Sequence, residues 1–171
     1  MELDKSDFAD LALPLLRPLY NFAHWLSRDP HEAEDLVQEA YARALKGFSG
    51  FRPGTNFRAW MFRILRNVFL TSRGGKMIEV AIEDEDQRFA DARTPESVLM
   101  NTTTQQQIQH ALERLPAEFR EVILLCDVEE MKYREIAELL DIPVGTVMSR
   151  LSRARRLLRG FLAEERMRVG R

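Results

Sequence analysis

Cysteine occurs once in the 171 residues, at Cys126, so the chain can form no internal disulfide and no cysteine zinc cluster. That scarcity fits a reducing compartment, and the expected location is the cytoplasm. Cys126 sits in the apolar run VILLCDV, which predicts a buried core residue rather than a nucleophile. No apolar run approaches the roughly 20 residues of a membrane span, and no secretory leader opens the chain. His24, His31 and His110 are far apart, with no His-x-x-x-His pair, and no glycine-rich phosphate loop is present. The reading is therefore no enzyme, no cofactor and no metal. Sustained period-2 patterns and Asn-Gly turns are also lacking, which argues against strands and predicts an all-α chain.

What the chain has is segregated charge. The net charge is only −2, yet there is no Asp or Glu from Ala40 to Ile78. That stretch carries Arg43, Lys46, Arg52, Arg58, Arg63, Arg66, Arg73 and Lys76. Acids are absent again from Ile142 to Ala163, where Arg150, Arg153, Arg155, Arg156 and Arg159 stand. Between the blocks lie Glu79, Glu83, Asp84, Glu85, Asp86 and Asp91. Two acid-free basic surfaces in a chain of almost no net charge point to two polyanion-facing surfaces.

Helical periodicity places a first apolar helix over residues 15–27 and a second over 29–48. Asp29 is the expected cap of the second, with Pro30 in its first turn and Glu32 three residues on. Two glycines and a proline make residues 48–56 a loop, and a helix follows over 57–73. The acidic stretch reads as a linker. Beyond it, helices are predicted over 104–114, 116–128, 132–140 and 144–162. The organisation is two small helical domains, residues 1–76 and 98–171, joined by an acidic linker at 77–97.

In the last predicted helix Val147, Leu151, Ala154 and Leu158 form one apolar stripe. Opposite stand Ser149, Ser152, Arg153 and Arg156. The preceding helix offers Ile136, Ala137 and Leu140, and Ile142 can plug the corner of the short turn DIPVG. Two short helices, a tight turn and a polar outward second helix predict a helix-turn-helix that enters the DNA major groove. In the 57–73 helix Phe57, Met61, Ile64 and Val68 share the inner side, and Phe62 and Phe69 are also assigned to the core. Trp60, Arg63 and Asn67 fall on an adjacent face, with Phe51, Arg52, Thr55 and Asn56 in the loop before it. Aromatics interleaved with arginines suit unstacked bases, although Trp60 suits the core equally well. The 31–46 helix buries Ala33, Leu36, Val37, Ala40, Tyr41 and Ala44. It leaves Glu32, Asp35, Gln38, Glu39 and Ala42 on its other face. That acidic strip fits either a basic protein partner or plain solvent.

Three blocks in this order, DPHEAEDLVQEAYARAL, FRAWMFRILRN and LPAEFREVILLCDVEEMKYREIAELLDIPVGTVMSRLSRARRLL, resemble the extracytoplasmic-function sigma factors, the compact group of the sigma-70 family of bacterial RNA polymerase. The resemblance implies a region 2 domain and a region 4 domain. It implies that Asp35, Gln38 and Glu39 contact the coiled coil of the polymerase largest subunit, and that region 4 meets the polymerase flap. It assigns −10 recognition and melting to Phe51, Arg52, Thr55, Asn56, Arg58, Trp60, Arg63 and Asn67. It assigns −35 duplex recognition to Lys132, Tyr133, Thr146, Met148, Ser149, Arg150, Ser152, Arg153 and Arg156. It further implies control by an anti-sigma factor, which can hold the protein at a membrane without inserting it. Leu70 stands three positions after Asn67, where the family often carries an acid. Met148 stands where a polar or basic residue is common, so the −35 sequence preference does not carry over. A stand-alone helix-turn-helix regulator, acting on duplex DNA without polymerase, is the alternative reading.

Overall fold

The computed structural model describes residues 4–74 and 104–170, all of it helices and the turns between them. The acidic stretch read as a linker lies outside the described residues. In the first unit, α1 spans Lys5–Ala12 and α2 spans Leu16–Ser27, with one 3₁₀ turn, Leu13–Leu15, between them. α3 spans Pro30–Gly47, a 3₁₀ turn covers Phe48–Gly50, and α4 spans Phe57–Ser72. In the second unit, α5 spans Gln105–Arg114 and α6 spans Ala117–Ile123, running on into a π turn at Leu124–Val128. α7 spans Tyr133–Leu140 and α8 spans Val144–Val169.

Side-chain caps fix several helix starts. Asp29 accepts from the backbone N–H groups of His31 and Glu32 at 2.8 and 3.1 Å, as the sequence predicted. Glu32 does not complete a capping box with it; the carboxylate pairs instead with Arg73 at 2.9 and 3.0 Å. Reciprocal boxes form elsewhere, at Asp4 with Asp7 and at Thr104 with Gln107. The first of these starts α1, which the periodicity reading did not anticipate. Phe8 on α1 meets Phe48 edge-on at 5.2 Å, and the Tyr41 hydroxyl donates to the Ala12 carbonyl at 2.5 Å, so the helix is tied into the core.

α2, α3 and α4 pack on one another around Phe22, Ala40, Met61, Phe62 and Leu65. In the second unit α8 is the central strut, contacting α5, α6 and α7. Val147, Leu151 and Ala154 are fully buried and Leu158 is partly so, which is the predicted stripe. α8 runs beyond the predicted end at residue 162, and Glu165 on its last turns is buried. A charged residue at a buried position is invisible to apolar periodicity. Cys126 is half-buried and packs at the edge of the core: it lies on the π turn, with its Sγ 3.6 Å from an Arg155 Nη. Burial, followed by the neighbouring Asp127, raises the thiol pKa above its ordinary value. The two units touch, chiefly where α7 rests on α4.

Candidate nucleic-acid interface

The turn between α7 and α8 is set by one residue. Asp141 adopts a left-handed conformation, φ 55°, at the end of α7. Its N–H reaches the Glu138 carbonyl at 3.4 Å, and the Ile142 N–H reaches the Ala137 carbonyl at 3.0 Å. This pair of bonds is a Schellman closure. It turns the chain sharply and leaves Ile142 packed against the core, as the sequence predicted for the corner. α8 then starts after Pro143, with the Thr146 and Val147 N–H groups on the Pro143 carbonyl at 3.0 and 3.2 Å.

Packing the stripe of α8 inward leaves Met148, Ser152 and Arg156 exposed, with Thr146, Ser149 and Arg153 half-buried beside them. Lys132 and Tyr133 are exposed at the start of α7. This is the polar outward face of a helix-turn-helix. Two of the five arginines in the block point elsewhere. Arg155 is bidentate to Asp127, at 2.7 and 3.2 Å, which clamps α8 to the π turn. Arg150 is half-buried, 4.0 Å from Glu118, and its Nε is buried without a hydrogen-bond partner.

The second cationic surface is the loop before α4 and that helix. Gly54, at φ 86°, closes a turn in which the Thr55 hydroxyl donates to the Arg52 carbonyl at 2.6 Å. Phe51 is buried: its ring stacks on Phe48 at 6.1 Å and lies 5.1 Å from Trp60. Trp60 is half-buried on Phe51 and Phe57, so it belongs to this cluster and also shows a surface. Arg52, Thr55, Arg63 and Asn67 are exposed. Asn56 caps α4, its Oδ1 accepting from the Ala59 N–H at 3.0 Å. Its amide nitrogen donates to Glu135 on α7 at 2.7 Å. Arg58 is ion-paired with Glu129 and lies over the Phe62 ring, 5.7 Å from its centroid.

On α3, Asp35, Gln38 and Glu39 all face solvent, with Glu39 held by Arg43 at 2.8 Å one turn on. Beside them a shallow groove of about 430 Å³ runs between α2 and α3, lined by Leu16, Tyr20, Val37 and Gln38. The exposed strip of Asp35, Gln38 and Glu39 thus borders this groove, on a helix other than α4 and α8, which carry the cationic faces.

Residues 11–75 match the family described as Sigma-70 region 2, and residues 105–158 match Sigma-70, region 4. The chain is 31% identical over 171 aligned residues to the ECF RNA polymerase sigma factor SigW of Bacillus subtilis (strain 168), covering 94% of this chain and 91% of that one. The chain belongs to the ECF sigma factors of RNA polymerase. It is also 39% identical over 149 residues to the ECF RNA polymerase sigma factor SigE of Mycolicibacterium smegmatis (strain ATCC 700084 / mc(2)155), covering 85% of this sigma factor but 58% of that longer relative. A solved structure, of the sigma factor RpoE in complex with the anti-sigma factor NepR from Bartonella quintana, superposes with a TM-score of 0.70 at 32% identity. That match covers 92% of this sigma factor and 98% of the other chain. α7 and the part of α8 up to residue 158 fall in the region 4 match, and α2 to α4 in the region 2 match.

Periodicity did not find Arg120. It is buried and donates to the carbonyls of Leu112, Leu115 and Glu113 at 2.9, 2.8 and 3.3 Å, and to that of Trp25 at 3.4 Å. The only sequence signal is an arginine inside the apolar run FREVILL. Among the described residues, no helix is long and apolar enough to cross a membrane.

Proposed function

We propose that this sigma factor binds core RNA polymerase through α3, reads a −35 duplex with α8, and melts and captures the −10 strand with α4 and the loop before it. The observation that supports this best is the separation of surfaces by sign. An exposed acidic strip on α3 meets protein, and exposed cationic faces on α4 and α8 meet DNA.

On α8, Arg153 and Arg156 reach guanine edges or phosphates, and small Ser149 and Ser152 let the helix approach closely. Thr146 and Met148 lie at the end that enters the groove first, and Lys132 and Tyr133 reach the flanking backbone. Unpairing the −10 segment costs about 1.4 kcal/mol per base step on average. Stacking captured bases returns roughly 1–3 kcal/mol each. Arg52, Thr55, Arg63 and Asn67 are exposed for this, with Trp60 at the edge of its cluster. Buried Phe51 supports the Trp60 ring from behind. The protein itself makes and breaks no covalent bond.

The working location is the cytoplasm, where polymerase and promoter DNA are. The RpoE structure holds an anti-sigma factor, and an anti-sigma factor is the expected regulator here, with membrane tethering through it when that partner is membrane-bound. Asp35→Arg tests the polymerase surface. The variant keeps the helix content of the wild type, because Asp35 is exposed, and loses capture by core polymerase in a pull-down. A folded variant that still captures polymerase normally contradicts the assignment.

A further inference from the structure

The face that α8 turns outward is not uniformly polar. At 3.6 residues per turn, Gly145, Ser149, Ser152 and Arg156 form its centre line. Thr146 and Arg153 lie on one flank of that line, Val144 and Met148 on the other. Val144 is 37% and Met148 47% exposed, one turn apart at the leading end of the helix. Single exposed apolar side chains are ordinary. Two neighbours at this end make an apolar edge that the fold leaves open to solvent.

The centre line is thin. Gly145 is exposed, its φ is not positive, and a Cβ built there meets no atom within 4 Å. Alanine would fit and would favour the helix. Neither packing nor conformation asks for glycine at this position; clearance for something lying close does. The polar groups of the first two turns are largely committed within the protein. The Ser149 hydroxyl donates to the Thr146 carbonyl at 3.2 Å, and Arg150 leans toward Glu118, 4.0 Å away. What this flank offers a base edge is a thioether and the methyls of a valine. In the major groove the thymine C5-methyl is the one apolar group among the donors and acceptors.

We infer that Met148, backed by Val144, reads a thymine in the −35 duplex by packing its thioether on the C5-methyl group. The inference rests on the reading of α8 as the −35 helix. Gly145, Ser149 and Ser152 let the helix lie close enough for the flank to touch base edges, while Arg153 and Arg156 take phosphates or guanine edges. An unbranched, polarisable side chain adapts to the position of the methyl. Cytosine presents an amine there instead, and Met148 would strip that amine of water without accepting from it. The contact thus selects by what it packs and by what it fails to satisfy. A lysine or arginine at 148 would favour the acceptors of guanine instead.

The test uses holoenzyme reconstituted from core RNA polymerase and the full-length chain, as wild type, Met148→Gln or Met148→Leu. Duplexes retained by the wild type from a randomised pool define its −35 element. Each thymine of that element, on either strand, is then replaced in turn by uracil, which removes only the C5-methyl. The expected result is one position at which uracil weakens wild-type binding about fourfold, the worth of one buried methyl. At that position Met148→Gln binds thymine and uracil duplexes alike, and Met148→Leu keeps the preference. Met148 is exposed, so the variants keep the wild-type helix content; Met148→Ala replaces Met148→Gln if circular dichroism shows otherwise. A −35 element without thymine, or one in which no uracil weakens binding, overturns the inference and leaves the −35 reading standing. A methyl effect equal in wild type and Met148→Gln also overturns it, because another residue then reads the methyl. Weaker assembly of Met148→Gln with core polymerase, with no methyl effect, assigns the flank to a protein contact and overturns it as well. No −35 element selected by an assembled wild-type holoenzyme overturns the −35 reading and the inference together.

Discussion

Asp29 shows how much one exposed side chain settles. Its carboxylate accepts from the first free N–H groups of α3, and those two bonds hold its pKa below the ordinary 3.8, the Glu32 N–H having the larger effect and the His31 N–H the next. A carboxyl whose pKa is lowered by folding stabilises the fold in full above its unfolded value. That contribution is lost as pH falls through the lowered value. Asp29→Ala therefore melts below the wild type at neutral pH, and the gap closes in strong acid; thermal melts followed by circular dichroism at the two pH values check this. Arg120 works in the opposite setting, as a buried cation on backbone carbonyls. Arg120→Ala strips these acceptors of their partner and destabilises the protein by about 1.5–3 kcal/mol, measured by urea unfolding. At this scale the sequence was legible where the side chain acts within its own turn, as at Asp29. It was silent where the partners are distant carbonyls, as at Arg120, and only partly right at Cys126, which packs at the edge of the core on a π turn that also faces Arg155.

Among the elements, α7 and α8 were the most legible. The stripe of Val147, Leu151 and Ala154, the inner face of α7 and the plug at Ile142 all stand where periodicity put them. The reason is physical: short helices that must bury one face and turn sharply between them leave few alternatives. The turn depends on Asp141 in its left-handed conformation. Asp141→Val places a β-branched residue there, and the loss is about 1–2 kcal/mol in a denaturant titration. Arg153→Ala leaves α8 folded and weakens −35 duplex binding by about 1–3 kcal/mol, with relaxed selectivity at one base pair. Unchanged selectivity in a binding assay against a randomised duplex pool would remove the base-reading role from Arg153. α1 and the last turns of α8 were missed, because one is signalled by a capping box ahead of its apolar residues and the other continues through a buried glutamate.

For the whole molecule, the all-α class was readable, but the way the units meet was not. Charge segregation along the chain showed two basic blocks with no acid inside them. It could not show that Arg58, Arg66 and Arg73 of the first block are matched by Glu129, Glu121 and Glu32 from outside it. Those pairings join residues 71, 55 and 41 positions apart, and no local pattern encodes a contact at that separation. The first basic block is thus cationic in sequence and partly neutralised in the fold. The consequence is a molecule whose acidic strip on α3 is open to solvent while Asn56 and Arg58 at the start of α4 are engaged by Glu135 and Glu129.

The most direct test of the central claim is reconstituted transcription: the purified chain, core RNA polymerase and a library of genomic fragments, with transcript starts mapped. The account predicts new starts that depend on the chain and share two spaced upstream elements, a −35 and a −10. No chain-dependent starts, together with no binding to polymerase, would contradict it.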